Sequence, residues 1–289
     1  MKKTIYFDKY IPYTYAKKED GAETENRLSL IELFRRIQAT PSSNSFHELY
    51  GEKYRTQVCR YHEKEKIWEL QILHLRNTLL PGIADEKSEF EPMILPEGRY
   101  LTEWCTVLYS ETNHVIYLQR NIACMSSKRL CYYLKAMLPL DTKILLKPVI
   151  SGRRIDKITE NAGFRKVVLA CSLDSKKDPD PTNRLGKLLQ NFGTYQGAIA
   201  NITLGMGRKK GKLNSREIRA LLEEAYNEGD VRTLKVQVDS VGAGVYEWID
   251  LMLDRETCFV NVEYSREAPI THAQLFDACL EKIIEKQKE

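Results

Sequence analysis

The chain has 289 residues, 43% hydrophobic and 29% charged, with a mean hydropathy of −0.44, a composition that suits one large domain or two small ones with their own cores. No apolar run approaches the ~20 residues of a membrane-spanning helix, and Asp8 and Lys9 interrupt the stretch a signal peptide would need, so a cytoplasmic protein without a membrane span is expected. The formal net charge of +4 hides an asymmetry: Lys and Arg against Asp and Glu number 16 to 18 over residues 1–119, 21 to 7 over 120–220, and 7 to 15 over 221–289.

In chain order, the aromatic and β-branched run 2–15 predicts an opening strand, followed by a polar loop over 17–26. Leu28, Ile31, Leu33, Phe34 and Ile37 fall close to a helical stripe that ends before Pro41, and 41–52 reads as a loop. Residues 54–77 predict two strands joined across the charged HEKEK turn, and the acidic, proline-punctuated stretch 77–100 a loop or insertion. The clearest hairpin is EWCTVLYSETNHVIYLQRN, with Trp104, Thr106 and Leu108 against Val115, Tyr117 and Gln119 and SETN as its turn. A helix capped by Ser126 or Ser127 follows. Then come a strand at 142–150, a helix at 153–163, a strand at 164–173 and a breaker-rich linker at 174–183.

Residues 184–200 read as a glycine-weakened helix and 201–207 as a strand. SREIRALLEEAYNEG predicts a helix with Ser215 as cap and Gly229 as stop; 232–239, 247–254 and 257–265 look like a β-meander; a terminal helix starts after Thr271. Strands arrive partly as hairpins and partly alternating with helices. The expected fold is therefore α+β: mixed, largely antiparallel sheets with hairpins and a C-terminal β-meander packed by helices. The expected division is a β-rich N-terminal domain, 1–122, and an α/β C-terminal domain with a basic surface, 123–289.

The positive surplus of the middle third peaks in GMGRKKGKLNSREIRALLEEAYNEG, residues 205–229. A nucleotide P-loop needs four residues between its glycines, then Gly-Lys-Ser/Thr, because the backbone wraps a phosphate and the hydroxyl holds magnesium. Here three residues separate Gly207 from Gly211, and Leu213 follows Lys212, so that reading fails. The same residues suit a sugar–phosphate backbone, a line of charge that demands no single cage. Arg208, Lys209, Lys210 and Lys212 crowd five positions, and Arg216 and Arg219 lie three apart on the following helix. The helix start would add its dipole and free N–H groups. Arg153, Arg154, Lys176 and Lys177 are further candidates, with Arg184 and Lys187 beside them; a solvated face is the plain alternative for each pair. Tyr132, Tyr133 and Tyr195 could stack on bases or simply pack.

Other signals are weaker. Gly242 and Gly244 begin a dinucleotide-like fingerprint, but Glu247 stands where the third glycine belongs and a strand follows, so a β-turn is the better account. Asp239, Asp250, Asp254 and Glu263, with Lys235 near in sequence, could feed a metal-dependent nuclease, yet match no compact carboxylate-x-lysine spacing. Seven cysteines without a CxxC and five dispersed histidines predict reduced thiols and no metal site.

The run IWELQILHLRNTLLPGIADEKSEFEPMILPEGRYLTEWCTVLYSETNHVIYLQRN, residues 67–121, resembles a prokaryotic family found in defence-associated or mobile loci, marked by an LPGIAD-like loop and a VLY…QRN hairpin. Ser110 replaces an acidic residue of that pattern. GAIANITLGMGRKKGKLNSREIRALLEEA is similar to the C-terminal half of the same family. The general plan is also similar to the DNA-binding B component of the Kiwa antiphage system. These resemblances imply nucleic acid and defence but lend no catalytic residue.

The reading is a nucleic-acid-binding protein of such a system, gripping phosphates through the basic loop and helix start, with DNA expected ahead of RNA. A protein partner subunit and a homo-oligomer are expected, and no cofactor, metal ligand or catalytic residue is assigned. The alternatives are a metal-dependent nuclease of the same systems and a non-catalytic assembly subunit docked on an acidic partner.

Overall fold

In the computed structural model, which describes residues 1–17, 23–40, 46–49, 51–78, 80–84, 86, 90–121, 123–138, 144–151, 158, 162–172, 184–193, 199–227, 231–239 and 246–288, the opening strand runs as β1, Lys2–Lys17. After it come β2 (Glu23–Arg27), α1 (Ile31–Ala39), β3 (Phe46–Leu49), β4 (Glu52–His62), β5 (Ile67–Arg76), β6 (Gly82–Ile83) and β7 (Glu91–Pro92). These are followed by β8 (Leu101–Ser110), β9 (Val115–Gln119), α2 (Ser127–Ala136) and β10 (Ile144–Pro148). The remainder is β11 (Gly163–Ser172), α3 (Arg184–Gly193), β12 (Ile199–Gly205), α4 (Ser215–Asn227), β13 (Val231–Asp239), β14 (Glu247–Asp250), a 3-10 turn (Leu251–Asp254), β15 (Thr257–Glu263) and α5 (His272–Lys288). The fold is α+β and mostly antiparallel sheet, as expected.

Contacts divide the chain into two units, Met1–Leu146 with Thr257–Glu289, and Lys147–Glu256. That division differs from a boundary after residue 122, because the last strand and helix return to the N-terminal unit. β15 pairs antiparallel with β1 from Lys2↔Glu263 to Asp8↔Thr257, so the expected three-strand meander stops at β13–β14. The segment LMLD is not strand either. Asp250 accepts a hydrogen bond from the Met252 N–H and turns the chain into a 3-10 turn.

The first unit orders its strands β10-β1-β9-β8-β5-β4-β3, with β2 and β15 also on β1. The predicted hairpin is β8–β9, paired Leu108↔Tyr117 and Ser110↔Val115, so its loop is Glu111–His114, one residue later than expected. His114 takes a positive φ of 54° there. On one face, α1 buries Leu33, Phe34 and Ile37, and the Phe34 ring lies 5.3 Å from that of Tyr109 and 5.8 Å from that of Trp68. Helix α2 buries Leu130, Tyr133 and Leu134 in the same core and is capped, as read, by Ser126 accepting from the Arg129 N–H. Alternation puts Glu69 on the opposite face from Trp68 and Leu70. There α5 packs, its start capped reciprocally by Thr271 and Gln274.

The second unit is a four-stranded antiparallel sheet ordered β12-β11-β13-β14. β11 lies between β12 and β13, so β12–α4–β13 skips one strand. Val167, Leu169, Val236, Val238 and Ile202 project from one sheet face into a core shared with Leu185 of α3 and Ile218, Leu221 and Leu222 of α4. The cap of α4 is Asn214, whose side-chain oxygen accepts from the Glu217 N–H at 3.3 Å. Ser215, the expected cap, is the first helical residue and donates to the Ala162 carbonyl at 3.3 Å.

Candidate nucleic-acid interface

The basic loop leaves β12 at Gly205 and re-enters the fold where the Leu213 N–H donates to the Phe164 carbonyl at 2.8 Å. Its shape is set from β11. Phe164 pairs with Val238 and Lys166 with Gln237, so Arg165 is the extra residue of a β-bulge. A bulge re-aims a side chain that regular alternation would leave on a sheet face. Here it turns the Arg165 guanidinium onto three loop carbonyls: Nη1 donates to Lys209 at 2.7 Å and Gly211 at 3.1 Å, and Nη2 to Gly207 at 2.9 Å.

Two further bonds close the arch, Met206 N–H to the Arg165 carbonyl at 3.3 Å and Lys209 N–H to the Met206 carbonyl at 3.0 Å. Gly207 and Gly211 take positive φ values, 55° and 124°, which glycine adopts at no steric cost. The loop is thus built around a guanidinium, and its carbonyl dipoles are spent inward.

The sequence-predicted cations separate into groups. Arg208, Lys209, Lys210, Lys212 and Arg216 are all exposed. The Lys212 stem crosses Gly163 so closely that a Cβ there would come within 2.4 Å of its Cδ and Cε. Arg219 does not join this set: it donates to the Ile158 carbonyl at 2.8 Å and lies 5.6 Å from the centroid of the buried Phe164 ring, holding the fold together. Arg184 is bound to Glu217 at 2.8 Å and Glu224 at 3.2 Å. The helix start is less positive than the sequence suggests, because Glu217 occupies its first turn and the Arg184 hydrogen bond keeps that carboxyl below its ordinary value. Tyr133 is buried and shares a 2.7 Å hydrogen bond with Thr56, so it is not a stacking platform. Arg153, Arg154, Lys176, Lys177 and Tyr195 lie outside the described residues.

Sequence reasoning missed Arg165 and Lys166. The available signal was two adjacent charges in an otherwise apolar strand, a break in alternation that marks a bulge.

The carboxylates considered for a nuclease have other partners. Asp250 caps the 3-10 turn and meets Lys235 Nζ at 3.2 Å; Asp254 is buried under the Tyr226 hydroxyl at 2.8 Å; Glu263 pairs with Lys2 at 3.4 Å. Among the described residues, no three His, Cys, Asp or Glu side chains are grouped to hold a metal ion, and the cysteines are free thiols.

The histidines are less dispersed than the sequence implies. Glu69 bridges His272 Nε2 at 2.9 Å and His62 Nε2 at 2.8 Å, and His272 Nδ1 meets the Thr106 hydroxyl at 2.8 Å. Hydroxyl, imidazole and carboxylate are in the order of a nucleophilic triad. Their exposures are 0% for Thr106, 9% for His272 and 4% for Glu69, so the hydroxyl has no face for a substrate. The network pins α5 to the sheet. Burial would raise the Glu69 carboxyl, but the hydrogen bonds from His272 and His62 outweigh it and hold the group below its ordinary value.

The fold and this site define an α+β protein of antiparallel sheets that presents a clamped, lysine- and arginine-rich loop. The chain belongs to the DUF6731 family, a family of unknown function, which it matches over residues 1–289. No curated protein matches it. Among the described residues, no helix is long and apolar enough to cross a membrane.

Proposed function

We propose that the protein binds nucleic acid through the loop 207–212, with Arg208, Lys209, Lys210, Lys212 and Arg216 contacting phosphates. The supporting observation is the Arg165 clamp. A solvated turn needs no internal guanidinium, whereas three carbonyls tied inward fix the backbone beneath a row of exposed cations. A pre-ordered cationic arch loses less conformational freedom on meeting a polyanion than a free loop would. The nuclease alternative is less well supported, since Asp250, Asp254 and Glu263 already hold structural partners. The resemblance over residues 67–121 supports a role within a prokaryotic defence or mobile-element system.

The test is fluorescence anisotropy with labelled DNA and RNA, titrated at several salt concentrations. The triple variant Arg208→Glu, Lys209→Glu, Lys210→Glu is expected to bind at least about tenfold more weakly and to show a flatter salt dependence. Unchanged affinity in that variant ends the proposal.

A further inference from the structure

The core of the Lys147–Glu256 unit uses one face of its sheet, and strand alternation sends the intervening residues to the other. Register aligns Gly205, Lys166, Gln237 and Trp248 in one row across all four strands on that second face. Trp248 is 50% exposed, and Lys166 Nζ stands 5.8 Å from its ring centroid. The row ends at Gly205, where the basic loop begins, and Gly205 puts no side chain in the way. One row further along, Lys235 is paired with Asp250 at 3.2 Å, whereas Lys166 is the cation over the Trp248 ring.

From this juxtaposition we infer that the outward face of the β12-β11-β13-β14 sheet binds single-stranded nucleic acid, one base stacking on Trp248 and the phosphate chain running past Lys166 onto the loop 207–212. The inference rests on the phosphate-binding reading above and narrows it to strands with free bases. A tryptophan face attracts any base through its π-surface, but only an unpaired base can reach it. Duplex bases stack on one another and would offer the ring only sugar and phosphate. The row spans three inter-strand gaps, about 14 Å. A base at Trp248 and phosphates at the loop therefore fall within the ~4–16 nucleotides of a single-strand site. Lys166 serves both ends of the contact, as the cation over the ring, where an arriving base takes its place, and as the step toward the arch.

The experiment is anisotropy with labelled oligo-dT and oligo-U of about 20 nucleotides and a duplex of the same length, longer than the ~4–16 nucleotides such a site covers. It compares the wild type with Trp248→Ala, Trp248→Phe and the triple Glu variant of Arg208, Lys209 and Lys210. Single strands are expected to bind at least about tenfold more tightly than the duplex. Trp248→Ala should weaken single-strand binding by about 5- to 150-fold, the worth of one stacked base, and leave duplex binding unchanged. Trp248→Phe should restore most of the loss.

Oligo-dT is also expected to quench the intrinsic fluorescence of the wild type. The same quench should be missing in Trp248→Phe, which keeps Trp68 and Trp104; this reading stands even if Trp248→Ala does not fold. Oligo-dT against oligo-U decides whether the strand is DNA or RNA. If Trp248→Ala binds like the wild type while the triple variant is weakened, the stacking site is overturned and the phosphate reading stands. A duplex bound as tightly as the single strands overturns it in the same way. If neither variant changes binding, both readings fall, and the face is left to a protein partner.

Discussion

Replacing Arg165 by Met keeps an unbranched side chain and removes the guanidinium together with its contact over the Tyr246 ring, which tests whether the loop is ordered from β11. Three hydrogen bonds disappear, to Gly207, Lys209 and Gly211. Hydrogen bonds to a charged group contribute ~1.5–3 kcal/mol each when desolvated. The freed carbonyls here regain water, so the low neutral value of ~0.5 kcal/mol each is the better measure. The sum is about 1.5 kcal/mol, or roughly a tenfold rise in local opening. Native-state amide hydrogen exchange reads it directly. The Lys209 and Leu213 amides, bonded to Met206 and Phe164, should exchange about tenfold faster, while the amides of Leu169 and Val236 in the core stay protected. Nucleic-acid affinity should fall several-fold with no phosphate-facing residue altered. Unchanged exchange at Lys209 and Leu213 refutes the clamp, and so does equal acceleration across the whole sheet, since that reports global destabilisation.

Gly163→Ala should push the Lys212 stem aside, because the new Cβ meets only its flexible end; nucleic-acid affinity falls as far as in Lys212→Ala, with stability changed by under ~1 kcal/mol in urea titration. A loss of core size would mean that the backbone, not Lys212, gives way. Glu69→Gln breaks the buried hydrogen bonding to His62 and His272 and should cost ~1–3 kcal/mol at pH 7. The folded Glu69 pKa is depressed, so its contribution is full above the unfolded value of ~4.3 and is lost as pH falls through the folded one. The wild type should therefore lose stability in that acid window more steeply than Glu69→Gln, and parallel urea-denaturation profiles against pH would contradict the network. The five exposed cations of the loop and helix start (Arg208, Lys209, Lys210, Lys212, Arg216) predict a log–log salt slope of about −3.5 on single strands, and about −4.2 with Lys166; a slope near −8 would mean that this set is only half of the surface.

The elements most legible in the sequence were those with a period of their own. Leu33, Phe34 and Ile37 make a helical stripe that the core then buries, and the β8–β9 hairpin needed only its alternation. Partner choice was not legible. TCFVNVE alternates buried and exposed, which declares a strand with one inner face but does not say which edge it joins; the edge is supplied by β1, whose partner residues lie 249 to 261 positions away in sequence. β2 shows the same limit, since polar residues 23–27 are strand only because the far end of β1 gives their backbone a ladder. Local preference for Ser as a cap pointed to Ser215, and tertiary contact overruled it: the hydroxyl is drawn to Ala162, and Asn214 caps instead.

Charge was legible as a quantity and not as an allocation. Arg165, Arg184 and Arg219 each add one unit to the same positive excess, yet the fold uses them in three ways. Arg165 organises the loop from within, Arg184 is bound by two glutamates, and Arg219 closes over Phe164. A guanidinium can do this because its planar fork satisfies several carbonyls or carboxylates at once; an ammonium is a point charge on a flexible stem. Three of the exposed cations of the arch are accordingly lysines, and the arginines that shape and support the unit are each committed to carbonyl or carboxylate partners within it. It follows that replacing Arg165 by Lys should damage the interface nearly as much as replacing it by Met, since the charge is kept and the fork is lost. Replacing Lys209 or Lys210 by Arg should leave binding intact. If charge alone governed the site, both exchanges would be silent.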